Sequence, residues 1–334
     1  MASTTSERER DDRDDSAAWD VARPQRHIGP AGVDMAGFRV PTSPAGGLRV
    51  VPHPAVMLIL DFKAIPSTVE DGSGRRHRGS LVAGPGFGSG GGVRGWGERT
   101  ECVQVRLSPV VAGSILGVCP ADLAGSPVSL DEVWGKDAAR IREQLSETRS
   151  WEDRFAVVAA LLARRREAAR TPVVDPELAW AWNQIVDGRG LVRVDGLAAE
   201  LGWSRKRLWS RFHSHLGIPP KGAAKLVRFD HAVHRMTAGE DAAQVAADSG
   251  YYDQPHLHRD VMAFTGRTPA TVLGEPFLTV DDRAWPTAEH RDALSATAAE
   301  AAPPLPQPQP FTPAGDPRFR SPGFRSPGSR SRGC

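Results

Sequence analysis

Three cysteines in 334 residues, Cys102, Cys119 and Cys334, are too few and too widely spaced for a disulfide framework. None belongs to a Cys-x-x-Cys pair of the kind structural zinc sites use. Long apolar runs are missing too. The longest, around residues 55–60, falls far short of the roughly 18 residues a transmembrane helix needs. The N-terminus carries Glu7, Arg8, Glu9, Arg10, Asp11 and Asp12 instead of a signal-like apolar core. These absences lead us to expect a soluble, cytoplasmic protein with no membrane partner. A Gly-Lys-Ser/Thr phosphate loop is absent. Gly86, Gly88 and Gly91 meet the Gly-x-Gly-x-x-Gly pattern, but Pro85, the excess of glycine and the lack of a following helix make that segment a loop or hairpin. Charge of one sign is scarce over the whole chain, with a net of +2, so the overall balance selects no partner.

What the chain does have is one pattern twice between residues 194 and 272: a short apolar helix, a glycine turn, then a helix with one polar face. In the first copy Val194, Leu197, Ala198 and Leu201 recur at helical spacing, Gly202 supplies the turn, and Ser204 is a good N-cap. Leu208, Phe212 and Leu216 then form a buried stripe, which turns Lys206, Trp209, Ser210 and His213 outward. The second copy packs through Ala242, Val245 and Ala246, turns at Gly250 and reopens at Asp253, with Pro255 in the first helical turn, where a missing N–H costs least. Its stripe is Leu257, Val261 and Phe264, and its polar face is Gln254, His258 and Arg259. Between the copies, residues 219–238 read as one connecting helix through Ala223, Leu226, Val227, Ala232, Val233 and Met236.

On the stretches LAAELGWSRKRLWSRFHSHLG and AADSGYYDQPHLHRDVMAFTGRTP, residues 191–273 resemble the DNA-binding domain of AraC/XylS-type transcriptional regulators. Two departures stand out: that family usually has an aromatic at the position of Val261 and another soon after the Thr-Pro near the end, where this chain runs Thr268-Pro269-Ala270-Thr271-Val272. The resemblance implies two helix-turn-helix units on one polypeptide, entering successive major-groove segments about 34 Å apart. Local charge agrees. Residues 204–229 hold seven cationic side chains, Arg205, Lys206, Arg207, Arg211, Lys221, Lys225 and Arg228, and no Asp or Glu. We therefore assign Lys206, Trp209, Ser210, Gln254, His258 and Arg259 to base edges, Arg205, Arg207 and Arg211 to phosphates, and Pro255 to van der Waals contact. Trp209 has an alternative, packing on the connecting helix.

The fold class expected is α+β multidomain: an all-α C-terminal domain over residues 173–274, preceded by a small β-rich domain with a helical pair over residues 38–170. Residues 1–37 and 275–334 read as disordered, the latter a Pro/Arg/Ser-rich tail that would add sequence-independent DNA affinity. Strand-like runs fall at residues 48–51, 56–62, 80–82 and 102–107, and helices at 109–116, 131–145 and 150–167. Trp134, Ile141, Leu145, Phe155, Leu161 and Leu162 are core residues or, alternatively, one stripe of them is a dimer seam. His53, Asp61, His77, Glu98 and Cys102 lie in no catalytic spacing, and the histidine pairs His213/His215, His256/His258 and His231/His234 lack a metal-binding arrangement. The function expected is a non-enzymatic, sequence-specific transcriptional regulator of promoter DNA, without a cofactor. RNA polymerase, a small-molecule effector at the N-terminal domain and a second copy of the chain are the further partners considered. The alternative is a DNA-associated enzyme or repair protein with a catalytic N-terminal domain.

Overall fold

The computed structural model describes residues 19–169 and 174–285. Its first part is built on ten strands: β1 (Asp20–Ala22), β2 (Val33–Val40), β3 (Leu48–Arg49), β4 (Val56–Asp61), β5 (Thr68–Glu70), β6 (Arg76–Arg78), β7 (Leu81–Ala83), β8 (Arg94–Trp96), β9 (Thr100–Leu107) and β10 (Val128–Ser129). They form two antiparallel sheets, of order β1-β2-β9-β4-β7-β10 and β3-β8-β5-β6. The long β9 lies between β2 and β4, with Leu107 opposite Val33 on one side and Val56 on the other. Strand alternation divides its side chains. Val103, Val105 and Leu107 enter a core shared with helices, whereas Cys102 and Gln104 face a cavity beside the second sheet.

Covering the first sheet are α1 (Pro109–Leu116), a 3-10 turn η1 (Pro120–Leu123), α2 (Leu130–Trp134), α3 (Lys136–Glu147) and α4 (Trp151–Glu167). The expected single helix over residues 131–145 is two, because Gly135 leaves helical geometry at φ 54° and ψ −127°. Ser150 caps α4 by accepting from the Asp153 amide at 3.1 Å. Trp134, Ile141, Leu145, Phe155 and Leu162 are all buried in this domain's own core, and Leu161 packs half-buried against it. The five buried side chains thus serve as core, and Leu161 keeps part of its surface exposed.

The C-terminal part comprises α5 (Pro176–Asp187), α6 (Val194–Glu200), α7 (Arg205–Leu216), α8 (Pro220–Thr237), α9 (Ala242–Asp248), α10 (Gln254–Thr265), α11 (Pro269–Val272) and α12 (Pro276–Ala284). The connecting helix α8 serves two cores at once. Ala223 and Val227 join Leu178, Trp182, Leu197, Leu208 and Phe212 in the first unit. Leu226, Phe229, Val233 and Met236 join Val245, Leu257 and Val261 in the second.

Two expectations at the ends need correction. Strand β1 and the start of β2 lie within residues 1–37, expected to be disordered. The Gly/Pro punctuation of residues 29–32 conceals a strand whose Val33 and Met35 are buried and paired with β9. Residues 276–284, expected within the tail, form α12, whose Phe277, Val280 and Ala284 pack with Trp285 against Trp19, Phe38 and Val40 of the β domain. The rest of the predicted tail, and residues 1–18, lie outside the described residues. Among the described residues no helix is long and apolar enough to cross a membrane.

Candidate nucleic-acid interface

Each helix-turn-helix unit is shaped by the same local chemistry. Gly202 and Gly250 take positive φ, 63° and 68°, at the turns between paired helices. Ser204 caps α7 by accepting from the Arg207 amide at 3.1 Å. Asp241 caps α9 through the amides of Ala243 and Gln244, and Asp253 caps α10 through that of His256 at 2.7 Å. With the starts of both second helices set in this way, the apolar stripes fix their rotation. Leu208, Phe212 and Leu216 are fully buried, as are Leu257 and Val261, and Phe264 is half-buried on Phe229.

The opposite faces are open. On α7, Arg205, Lys206, Arg207, Trp209 and Ser210 are exposed, and on α10 so are Gln254, Pro255, His258 and Arg259. Trp209 does not pack on the connecting helix. It stands 51% exposed and stacks on His213 of its own helix, with ring centroids 4.9 Å apart. Arg207 lies over the Trp203 ring at 4.4 Å. Arg211 is only half-exposed and pairs with Asp175 of the segment leading into α5. Arg205 approaches Asp195 at 3.5 Å. On α10 the Gln254 amide and the His258 ring are 3.4 Å apart, an i, i+4 pair that orients both side chains along one face.

The cationic run is less uniform in space than in sequence. Lys225 and Arg228 turn inward to the buried Asp260 of α10, at 2.9 and 3.5 Å, and Arg228 also covers Tyr251. They tie α8 to α10, Lys225 remaining half-exposed and Arg228 less so. Lys206, Arg207 and Lys221 make no ion pair among the described residues and are all exposed. One surface residue escaped sequence reasoning: Tyr252, beside the N-cap of α10, is 93% exposed. Its neighbour Tyr251 is buried, and nothing in a Tyr-Tyr pair tells which ring goes in.

The polar residues of the β domain do not converge as a catalytic set. Asp61 accepts from the Ser67 amide and hydroxyl, and His77 pairs with Asp71 at 3.0 Å. Burial and the nearby Asp61 carboxylate push the Cys102 thiol far above its ordinary range, which leaves it inert. His53 bridges to the other domain, with one ring nitrogen on Asp230 of α8 and the other beside Arg106 of β9. Between the two sheets lies an apolar cavity of about 100 Å³, walled by Trp19, Phe87, Trp96 and Phe277, among others.

Residues 197–274 match a family model described as a helix-turn-helix domain. No curated protein matches the chain. Solved structures similar to it include ToxT from Vibrio cholerae, at 10% identity over 75% of this chain and 99% of that one, with a TM-score of 0.43. ToxT with unsaturated fatty acid bound gives 10%, 75% and 98%, at 0.41. The AraC-like transcriptional activator CuxR gives 16%, 61% and 83%, at 0.28. Such loose likenesses leave the argument to the matched segment, whose two capped, glycine-turned helix pairs present open polar faces. That segment is a helix-turn-helix domain of the AraC type, and the chain that carries it is a DNA-binding transcriptional regulator.

Proposed function

We propose that α7 and α10 each enter a major groove, one turn of the duplex apart, and read promoter DNA without catalysing a reaction on it. The observation that carries this reading is the matched exposure of the two faces: each second helix is capped, buried along one stripe, and polar and open along the other. Lys206, Trp209, Ser210, Gln254, His258 and Arg259 then contact base edges, and a good bidentate contact discriminates by about 1–3 kcal/mol. Arg205, Arg207 and Lys221 serve phosphates. Arg211 does so after exchanging Asp175 for the duplex, Pro255 offers van der Waals contact, and Tyr252 stands where it can touch the backbone beside α10.

The cavity of the β domain is the proposed effector site, since it is apolar, lies between two sheets and is close to the DNA-binding domain. Activation through RNA polymerase and repression by occlusion both follow from occupancy of a promoter, and neither needs a second copy of the chain. Selection of bound duplexes from a random pool by the full-length protein tests the reading. It predicts a motif of two blocks centred about 10 base pairs apart. Binding that is blind to sequence and falls only with salt would contradict it.

A further inference from the structure

Four buried polar side chains and the partly buried Arg106 meet where the β domain touches the DNA-binding domain. His53 precedes β4, Arg106 is on β9, Asp230 and His234 are on α8, and Asp281 is on α12. Their geometry assigns the protons. His53 Nδ1 lies 2.8 Å from Asp230 Oδ1 and donates to it, because Nε2 sits 2.9 Å from Arg106 Nη2, which can only donate. His53 is therefore neutral. His234 instead faces an acceptor at each nitrogen, the Asp230 carbonyl at 2.6 Å and Asp281 Oδ2 at 2.7 Å, so it carries both protons. Arg106 also donates to Asp281 and lies 4.3 Å over the Trp285 ring. Breaking such a set by removing one partner is costly, because it leaves a charge without its counter-ion in a poorly hydrated place.

The same joint borders the cavity. His53 lines it from the loop before β4, and Phe277 lines it from α12, one turn ahead of Asp281. No Lys, Arg, Asp or Glu is among its walls. Ser43 and Ser67 are already bonded to the Gly97 amide and to Asp61, and both nitrogens of His53 are taken. The occupant this lining accepts is uncharged and largely apolar. Size adds the decisive constraint. An engineered apolar cavity of about 150 Å³ holds benzene and typical ligand sites span roughly 300–1,000 Å³, so a molecule of benzene size or larger is wholly contained in about 100 Å³ only if a wall moves. Most walls are strands held by ladder hydrogen bonds. Phe277 belongs to a nine-residue helix that meets the β domain through side chains.

Resting on the reading of the cavity as the effector site, we propose that an uncharged apolar molecule enters it by displacing Phe277 and α12, and that the cluster of His53, Arg106, Asp230, His234 and Asp281 transmits this movement to the DNA-binding domain. Both helix-turn-helix units receive it. The β domain touches the end of α7 through η1, where the Cys119 thiol lies 3.4 Å from the Ser214 and His215 carbonyls. It touches the end of α10 through the glycine-rich loop, where the Gly90 amide donates to the Phe264 carbonyl at 2.8 Å. A shift at the joint therefore alters how the two reading helices are held relative to each other.

The test uses the full-length protein and indole, an uncharged aromatic larger than benzene. Calorimetry reports indole binding, amide hydrogen exchange reports α12 and residues 230–237, and anisotropy reports affinity for the selected duplex. Indole is expected to speed exchange in both segments and to change the DNA Kd by about 5-fold or more, the lower end of usual couplings. In His53→Leu indole still binds but the coupling disappears. Phe277→Ala, a milder change on the other wall, weakens the coupling while opening the cavity. Indole binding with unchanged exchange and DNA affinity overturns the proposal and leaves the cavity reading standing, as does full coupling in both variants. Absence of any binding removes the cavity reading and the proposal together.

Discussion

At the residue scale, small groups at turns and caps decide where the reading helices start, and one glycine decides how closely the two domains meet. A Cβ on Gly91 would lie 1.7 Å from the Thr265 carbonyl oxygen, and the residue sits at φ 72°. Gly91→Ala should therefore lift the glycine-rich loop off the end of α10 without disturbing either core. Faster amide exchange in the loop and at residues 264–267, with unchanged exchange in β9 and α8, is the expected result. Uniform acceleration would show that the loop supports the whole fold instead. Asp241→Ala removes the side chain that caps α9 and should cost about 1 kcal/mol in urea unfolding. The Ser204 cap was legible in the sequence, as was the start of the second reading helix at Asp253, but not the capping roles of Asp241 and Asp253. The intimacy of Gly91 was not: a glycine-rich segment reads as a loop, and what it lies against is set by residues more than 170 positions away.

Among elements, α12 has the most divided role. Leu278 enters the core of the second helix-turn-helix unit, whereas Val280, Ala284 and Trp285 face the first sheet of the β domain. Val280→Asp places a charge at a fully buried site, a change of the kind that costs several kcal/mol, and should free the helix from that sheet. We expect faster exchange in β1 and β2 with α9 and α10 protected as before. If β1 and β2 stay protected, α12 is not what holds them. Leu278→Ala should act on the other side, costing about 2–5 kcal/mol in the second unit. The paired helices were legible because their stripes repeat every three to four residues over a dozen positions. Strands β5, β6 and β8 were not, since three residues give too short a period and Arg76, Arg78 and Arg94 carry no strand signal. For α12 the difficulty was its setting, one short amphipathic turn pair before a low-complexity tail.

On the scale of the molecule, the joint between domains links docking to pH. Burial opposes the charged form of His234, but Asp230 and Asp281 outweigh it and raise its pKa from 6.5 to about 9. Its contribution is complete below pH 6.5 and is lost as pH rises through 9. His53 runs the other way. Burial and Arg106 outweigh the neighbouring carboxylates and lower its pKa from 6.5, so its contribution is present above that value and lost as pH falls through the lowered one. For Asp281, burial is outweighed by Arg106, His53 and His234, which hold the carboxyl far below its ordinary 3.8, so its contribution fails only in strong acid. Docking should thus be tightest near pH 6.5. The urea midpoint is expected to fall from there toward pH 9, and His234→Gln should flatten that alkaline arm. A midpoint that stays level to pH 9 in the unaltered protein would contradict the protonation assigned to His234. None of this was readable from the sequence, where His53 and Asp230 are 177 positions apart.

The central claim is that one chain reads DNA with two helices, each responsible for its own stretch of sequence. The most direct measurement takes the duplex motif selected by the unaltered protein and repeats the selection with two double variants, Lys206→Ala with Ser210→Ala on α7, and His258→Ala with Arg259→Ala on α10. The account predicts that the first relaxes one block and the second the other, each by a discrimination loss of about 1–3 kcal/mol per lost base contact. If both variants weaken all sequences equally and leave the motif intact, these side chains only anchor the backbone, and the assignment of α7 and α10 as reading helices is wrong.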